Sequence, residues 1–127
     1  MTNKAVVNSE GIVAKGPCAI VAYARRSNGK RPAKDYIENL QQSDQATLAR
    51  SFKQLADTGK IWNTERFRKL RGKIGEFKTH PKARVLCFQL GKTWFLTHGF
   101  DKETGDTPPR QIERAEQIRK EHISLLT

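Results

Sequence analysis

At 127 residues the chain fits one domain, with little left for a second. Apolar residues make up 36% and charged residues 29%, lean for a globular domain but above the disordered range. Twenty-four Lys and Arg against thirteen Asp and Glu leave a charge of +11, which calls for a polyanionic partner; a membrane span is not expected, because the apolar run Ala19–Ala24 is six residues where a span takes about 20.

In chain order, residues 1–17 have weak periodicity and carry Gly11, Gly16 and Pro17, so they are read as an N-terminal arm or loop ahead of a single domain at 18–127. Cys18–Arg25 is rich enough in small and apolar residues for a first strand, and Ser27-Asn28-Gly29-Lys30 ends it. Pro32 can open a helix whose Tyr36, Ile37 and Leu40 share one face. Ser43 or Asp44 can cap a second helix. Its Leu48, Phe52, Leu55 and Ala56 follow helical spacing, and Gly59 stops it. The pattern then changes to the predicted strands Lys73–Thr79, Ala83–Leu90 and Thr93–Phe100. Gly91-Lys92 makes a two-residue hairpin between the last two. Thr107-Pro108 opens a closing helix striped by Ile112, Ala115 and Ile118. The expected architecture is an α+β fold: a small antiparallel sheet of about four strands, an N-terminal helical hairpin and a C-terminal helix.

The charge is focused. Residues 60–92 carry ten cations and two anions, residues 1–35 carry a net +5, and the two remaining segments each carry −1. A solvated surface would spread it, so a nucleic-acid-facing patch is expected. The start of the chain lacks the apolar core of a signal peptide. Two cysteines, Cys18 and Cys87, cannot build a disulfide framework, and neither has a partner at metal-ligand spacing. The expectation is a cytoplasmic protein with reduced thiols and no metal or small-molecule cofactor. Clustered carboxylates, which metal-dependent nuclease chemistry requires, are missing from the basic stretch, where Glu65 and Glu76 stand eleven apart among cations.

The segment from Glu76 to Arg84 is the densest run of phosphate-binding residue types. With Pro81 at the turn, Lys78 falls opposite Arg84, an arrangement two cations avoid unless an anion lies between them. His80 and Lys82 then occupy the turn. Such a cluster can drive the ribose 2′-OH onto the neighbouring phosphate. That reaction needs a base, cations on the charge that builds at phosphorus, and an acid for the departing 5′-oxygen. Arginine's planar fork matches phosphate oxygens. Lysine serves as a base only where nearby positive charge favours its neutral form, and Lys78 has Lys82 and Arg84 beside it. Histidine ordinarily titrates in the right range, so His80 is either a proton carrier or a simple turn residue. A basic hairpin more often binds phosphate than cuts it.

Other conspicuous residues have plainer readings. His98 alternates with Trp94 and Leu96 and reads as a core histidine, and Cys87 as a core thiol. His122, near the end of the last helix, fits the helix dipole. Trp62 and Phe67 either stack on bases or, the favoured reading, cover the core.

The second half of the chain carries an ordered series: Phe67-Arg68-Lys69-Leu70-Arg71, Gly75-Glu76-Phe77-Lys78, Ala83-Arg84-Val85-Leu86-Cys87-Phe88, His98-Gly99-Phe100-Asp101-Lys102, and Thr107-Pro108 followed by Ile112 and Ala115. This series resembles the RelE/ParE superfamily, most closely the phage-derived HigB-like toxins, over roughly residues 33–120. The resemblance implies a toxin of a type II toxin–antitoxin pair, neutralised by a helix-turn-helix antitoxin and acting on the ribosome as an mRNA endoribonuclease. Matched by motif, the catalytic positions fall on Lys78, Arg84 and Lys102, with His80 and Lys82 as neighbours. Arg68, Lys69, Arg71, Lys73 and Lys82 would hold the RNA backbone. Lys102 is followed by Glu103 where the family commonly has a second basic residue, and no Tyr lies in the C-terminal third. Some superfamily members inhibit DNA gyrase instead, so a non-catalytic inhibitor or binding protein of the same fold, a gyrase poison or an inactive RNA-binding relic, is the competing expectation.

Overall fold

The computed structural model describes residues 11–103 and 105–126. Among them are six strands and three helices: β1 (Ile12–Lys15), β2 (Ile20–Tyr23), α1 (Pro32–Glu38), α2 (Gln42–Thr58), β3 (Phe67–Lys69), β4 (Ile74–Thr79), β5 (Ala83–Leu90), β6 (Thr93–Asp101) and α3 (Pro109–Leu125). They form one mixed sheet in the order β1-β2-β6-β5-β4-β3, in which only β2 and β6 run parallel.

The α+β class stands as expected, but the sheet has six strands rather than about four, is mixed rather than antiparallel, and the two paired helices follow two strands instead of opening the domain. β1 occupies part of the segment read as a loop, and residues 1–10 lie outside the described ones. β3 adds an edge strand of three residues. The first predicted strand shortens to β2 because the amides of Cys18 and Ala19 both turn to the Ala56 carbonyl at the end of α2.

Helices cover both faces of the sheet. On one face Leu48, Phe52 and Leu55 of α2 and Ala33 and Ile37 of α1 pack on Val21, Phe77, Val85, Cys87 and Leu96. Each large side chain buried there stabilises the fold by about 1.5–3 kcal/mol. On the other face Ile112, Ala115 and Ile118 of α3 cover Ile74, Leu86 and Phe88. Gly59 ends α2 at φ 79°, a left-handed angle that a side chain disfavours. Gly91 takes φ 62° in the two-residue turn between Leu90 and Thr93. Neither Ser43 nor Asp44 caps α2, which begins earlier at Gln42. Asp44 lies in its first turn and accepts a hydrogen bond from Thr79 Oγ1 at 3.2 Å.

A bulge in β6 decides the site's geometry. Leu86 pairs with His98 and Cys87 with Leu96, so Thr97 is the extra residue and donates its hydroxyl to the Leu86 carbonyl at 3.2 Å. The bulge shifts the alternation by one. Trp94 and Leu96 belong to the α2 face, while His98 turns to the α3 face, stacks on Phe100 and meets Gln111. This corrects the simple alternation read from the sequence, and it brings the end of β6 to the face that carries Arg84.

Candidate nucleic-acid interface

The β4–β5 hairpin has the register expected from the turn: Lys78 pairs with Arg84 and Thr79 with Ala83, leaving His80, Pro81 and Lys82 as the connection. Lys78 is half-buried, whereas Arg84 is only 5% exposed. The Arg84 guanidinium folds back over the turn, and Nη1 donates to the carbonyls of Ala83 at 2.9 Å and Thr79 at 3.3 Å. Its Nε is buried without a partner. Among the described residues no carboxylate forms a salt bridge with it. A buried cation usually has an anion beside it, because desolvation is costly. Here a second cation faces it across the strands instead.

Lys102 follows β6 and extends the ladder by one step, its amide donating to the Lys82 carbonyl at 2.8 Å. Lys102 and Lys82 are thereby brought together at the turn end of the hairpin. Lys102 also lines an open hollow of about 320 Å³ with Phe100, Arg110 and Gln111, and the carboxylates of Asp101 and Glu103 share that lining. Arg110 was not singled out from the sequence; its signal is a cation placed just after Pro108-Pro109, where α3 starts beside the end of β6. Lys82 Nζ lies 3.8 Å from Asp101 Oδ2. His80 reaches Glu65 Oε1 at 2.9 Å through Nε2, and both side chains are mostly exposed. Exposed pairs of this kind are worth at most about 1 kcal/mol, so the contact can be exchanged for a ligand.

The residues expected to hold RNA backbone do not form one group. Arg68 is committed to the scaffold: its Nε donates to Glu76 Oε1 at 3.0 Å and its Nη2 to Thr107 Oγ1 at 3.4 Å. Glu76 is fully buried and also accepts the Thr107 hydroxyl in a short hydrogen bond. That carboxylate ties β3, β4 and the approach to α3 together, a role invisible in its sequence setting among cations. Lys69, Arg71 and Lys73 are exposed on β3 and its turn into β4. With about 3.4 Å per residue, Lys73 lies roughly 17 Å along the strand from Lys78. The basic stretch thus resolves into two ends of one strand.

The family model for "Phage derived protein Gp49-like (DUF891)" matches residues 35–120, which includes the whole hairpin, β6 and the start of α3. The chain belongs to the Gp49-like family. No curated protein matches it. The Gp49-like proteins are a RelE/ParE-like toxin family, so the general toxin class expected from the sequence motifs holds.

Several side chains of this Gp49-like chain take the plainer roles. His98 is 1% exposed, its Nε2 lies 2.9 Å from Gln111 Oε1, and burial pushes its pKa down to about 4. Burial likewise raises the Cys87 thiol far above its usual range. His122 departs from the dipole reading. It is buried against Phe95, its Nδ1 accepts the Arg25 amide at 2.9 Å, and burial lowers its pKa, so it is a neutral ring rather than a helix-end cation. Phe67 packs on Phe77 and Trp94 in the core as expected, but Trp62 is 69% exposed, with Lys60 Nζ 5.8 Å from its ring centroid. Trp62 therefore does not cover the core. None of the described helices is long and apolar enough to cross a membrane.

Proposed function

We propose that this Gp49-like protein is a HigB-like toxin of a type II toxin–antitoxin pair that cleaves mRNA on the ribosome in the cytoplasm without a metal, and is held inactive by a helix-turn-helix antitoxin. The observation that carries this reading is Arg84: a buried guanidinium with no carboxylate, set opposite Lys78. An RNA phosphate between the two relieves both the burial and the repulsion. In the reaction the 2′-oxygen attacks phosphorus and the bond to the 5′-oxygen breaks, leaving a cyclic phosphate and a 5′-hydroxyl. Lys78 or His80 takes the 2′-OH proton, Arg84 stabilises the extra charge at phosphorus, and Lys102 grips phosphate or assists the leaving oxygen. Lys69, Arg71, Lys73 and Lys82 lie where they can follow the flanking backbone, and Trp62 is free to stack.

A non-catalytic inhibitor of the same fold is favoured by a different observation, the engagement of Arg84 Nη1 by two carbonyls and of His80 by Glu65. Brief induction of wild type, Lys78→Ala and Arg84→Met, followed by primer extension on abundant transcripts, separates the two. Cleavage gives new transcript 5′ ends in wild type and none in Arg84→Met, while their loss or persistence in Lys78→Ala assigns the 2′-OH proton to Lys78 or to His80. Growth arrest without new ends, or undiminished arrest by Arg84→Met, removes the nuclease reading.

A further inference from the structure

A second cationic feature lies away from the hairpin. A cavity of about 100 Å³ opens among Ile20, Ala22 and Tyr23 of β2, Thr93 and Phe95 of β6, Arg25 and Arg31 between β2 and α1, and His122 of α3. Phe95 lies seven positions before Lys102, roughly 23 Å along β6 and its continuation, so the two regions are distinct. Of these eight residues only Thr93 and Phe95 fall within the residues 35–120 that the family model matches.

Two hydrogen-bond donors at this cavity have no acceptor. His122 Nδ1 accepts the Arg25 amide, so the neutral ring carries its proton on Nε2, and that N–H is buried without a partner. The Nε of Arg31 is a second buried donor in the same condition. Among the described residues neither Arg25 nor Arg31 forms a salt bridge. No carboxylate lines the cavity. Glu121, next to His122 in sequence, is already held by Arg26 at 2.8 Å and by the Ser27 amide at 3.0 Å.

We propose that this cavity is an oxyanion site, taking one carboxylate or phosphate group on Arg31 Nε–H and His122 Nε2–H. Its volume is that of about three waters, enough for one such group. Water could satisfy the two donors but would add no charge to offset the half-buried Arg31. An anion satisfies both, through charge-assisted hydrogen bonds roughly twice as strong as neutral ones. The apolar walls strengthen the attraction by lowering the local dielectric.

The test is to follow the imidazole nitrogens of the ¹⁵N-labelled full chain while titrating inorganic phosphate and, separately, acetate, with chloride holding ionic strength constant. The expected result is a saturable shift of His122 Nε2 with at least one of the two, the His98 ring remaining still. The phosphate and acetate arms tell a tetrahedral from a planar ligand. Arg31→Gln should weaken that binding by about tenfold or more. Arg31→Lys, which keeps the charge but loses the fixed Nε–H, tests the same point should the Gln variant unfold. A linear, non-saturating response to both anions, or equal affinity in the Arg31 variants, overturns the site and leaves only bound water there. Neither outcome bears on RNA cleavage.

Discussion

Arg84→Met tests whether the guanidinium is held for a ligand or for the fold. Losing it removes a buried Nε with no partner, an unsatisfied donor that costs about 1–3 kcal/mol. It also removes the repulsion with Lys78, worth up to about 1 kcal/mol. Against this, Nη1 gives up its bonds to Ala83 and Thr79, together about 1.5–3 kcal/mol for one charged donor. Met fills most of the vacated space. The terms nearly cancel, so the variant should stay within about 1.5 kcal/mol of wild type by urea denaturation. That is well below the roughly 3–5 kcal/mol lost when a paired buried ion loses its partner. An RNA oligonucleotide carrying a 2′-deoxy block at the scissile position should then separate the two proteins. At a hundred times its dissociation constant it stabilises wild type by about 2.7 kcal/mol, a rise in Tm on the order of 10 °C for a chain of this size. Arg84→Met should lose at least half of that rise. A variant destabilised by more than about 3 kcal/mol, or one stabilised by the oligonucleotide as fully as wild type, would show that Arg84 is a strut and refute the reasoning.

Arg68→Met should behave in the opposite way although it removes the same charge from the same face. It strands the buried Glu76 carboxylate, and a loss of about 3 kcal/mol or more is expected by urea denaturation, with Glu76→Gln restoring part of it in the double variant; a change below about 1 kcal/mol would deny the pair its structural role. Acid should weaken the fold through His98. Its pKa is about 4 when folded against an ordinary 6.5, so the unfolded chain takes up the proton first. Stability is then full above about pH 6.5 and falls toward pH 4, by about 3 kcal/mol at the limit. His122, shifted the same way, adds to the slope. Denaturation curves at pH 7.5 and 4.5 should show a smaller difference in His98→Gln than in wild type; equal differences would sink this assignment.

The parts of this fold that could be read from the sequence are those with local signals. The α2 stripe, the glycines at 59 and 91 and the turn that sets Lys78 opposite Arg84 depend on spacing within a few residues. What escaped depends on partners distant in sequence or on very short segments. β1 and β3, of four and three residues, are too short to show alternation. The parallel pairing of β2 with β6 joins residues some seventy positions apart. The extra residue at Thr97 reverses the face of everything after it, and no composition or period announces a bulge. His122 looked like a helix-end cation because its contact with the Arg25 amide spans 97 residues. Among the site residues, charge type was legible but commitment was not: Arg68 and Arg84 look alike in sequence, and only packing distinguishes the one that holds a carboxylate.

The placement of the acids explains how the hairpin stays cationic. Glu76 stands two residues before Lys78 on the same face of β4, about 7 Å along the strand. A bare carboxylate at that distance would attract a cation by about 2 kcal/mol at an effective dielectric of 20, and would repel a bound phosphate by as much. Its charge is instead matched by Arg68 and its lone pairs by Thr107. Asp101, at the other side of the hairpin, accepts the Tyr36 hydroxyl at 2.7 Å and leans toward Lys82, and Glu65 is paired with His80. With those carboxylates engaged by other groups, Arg84 is left without an anion of its own. Polarity thus divides the two arginines: Arg68 neutralises the scaffold's buried acid, and that neutralisation preserves the positive potential at Lys78 and Arg84 on which any phosphate chemistry at this hairpin depends.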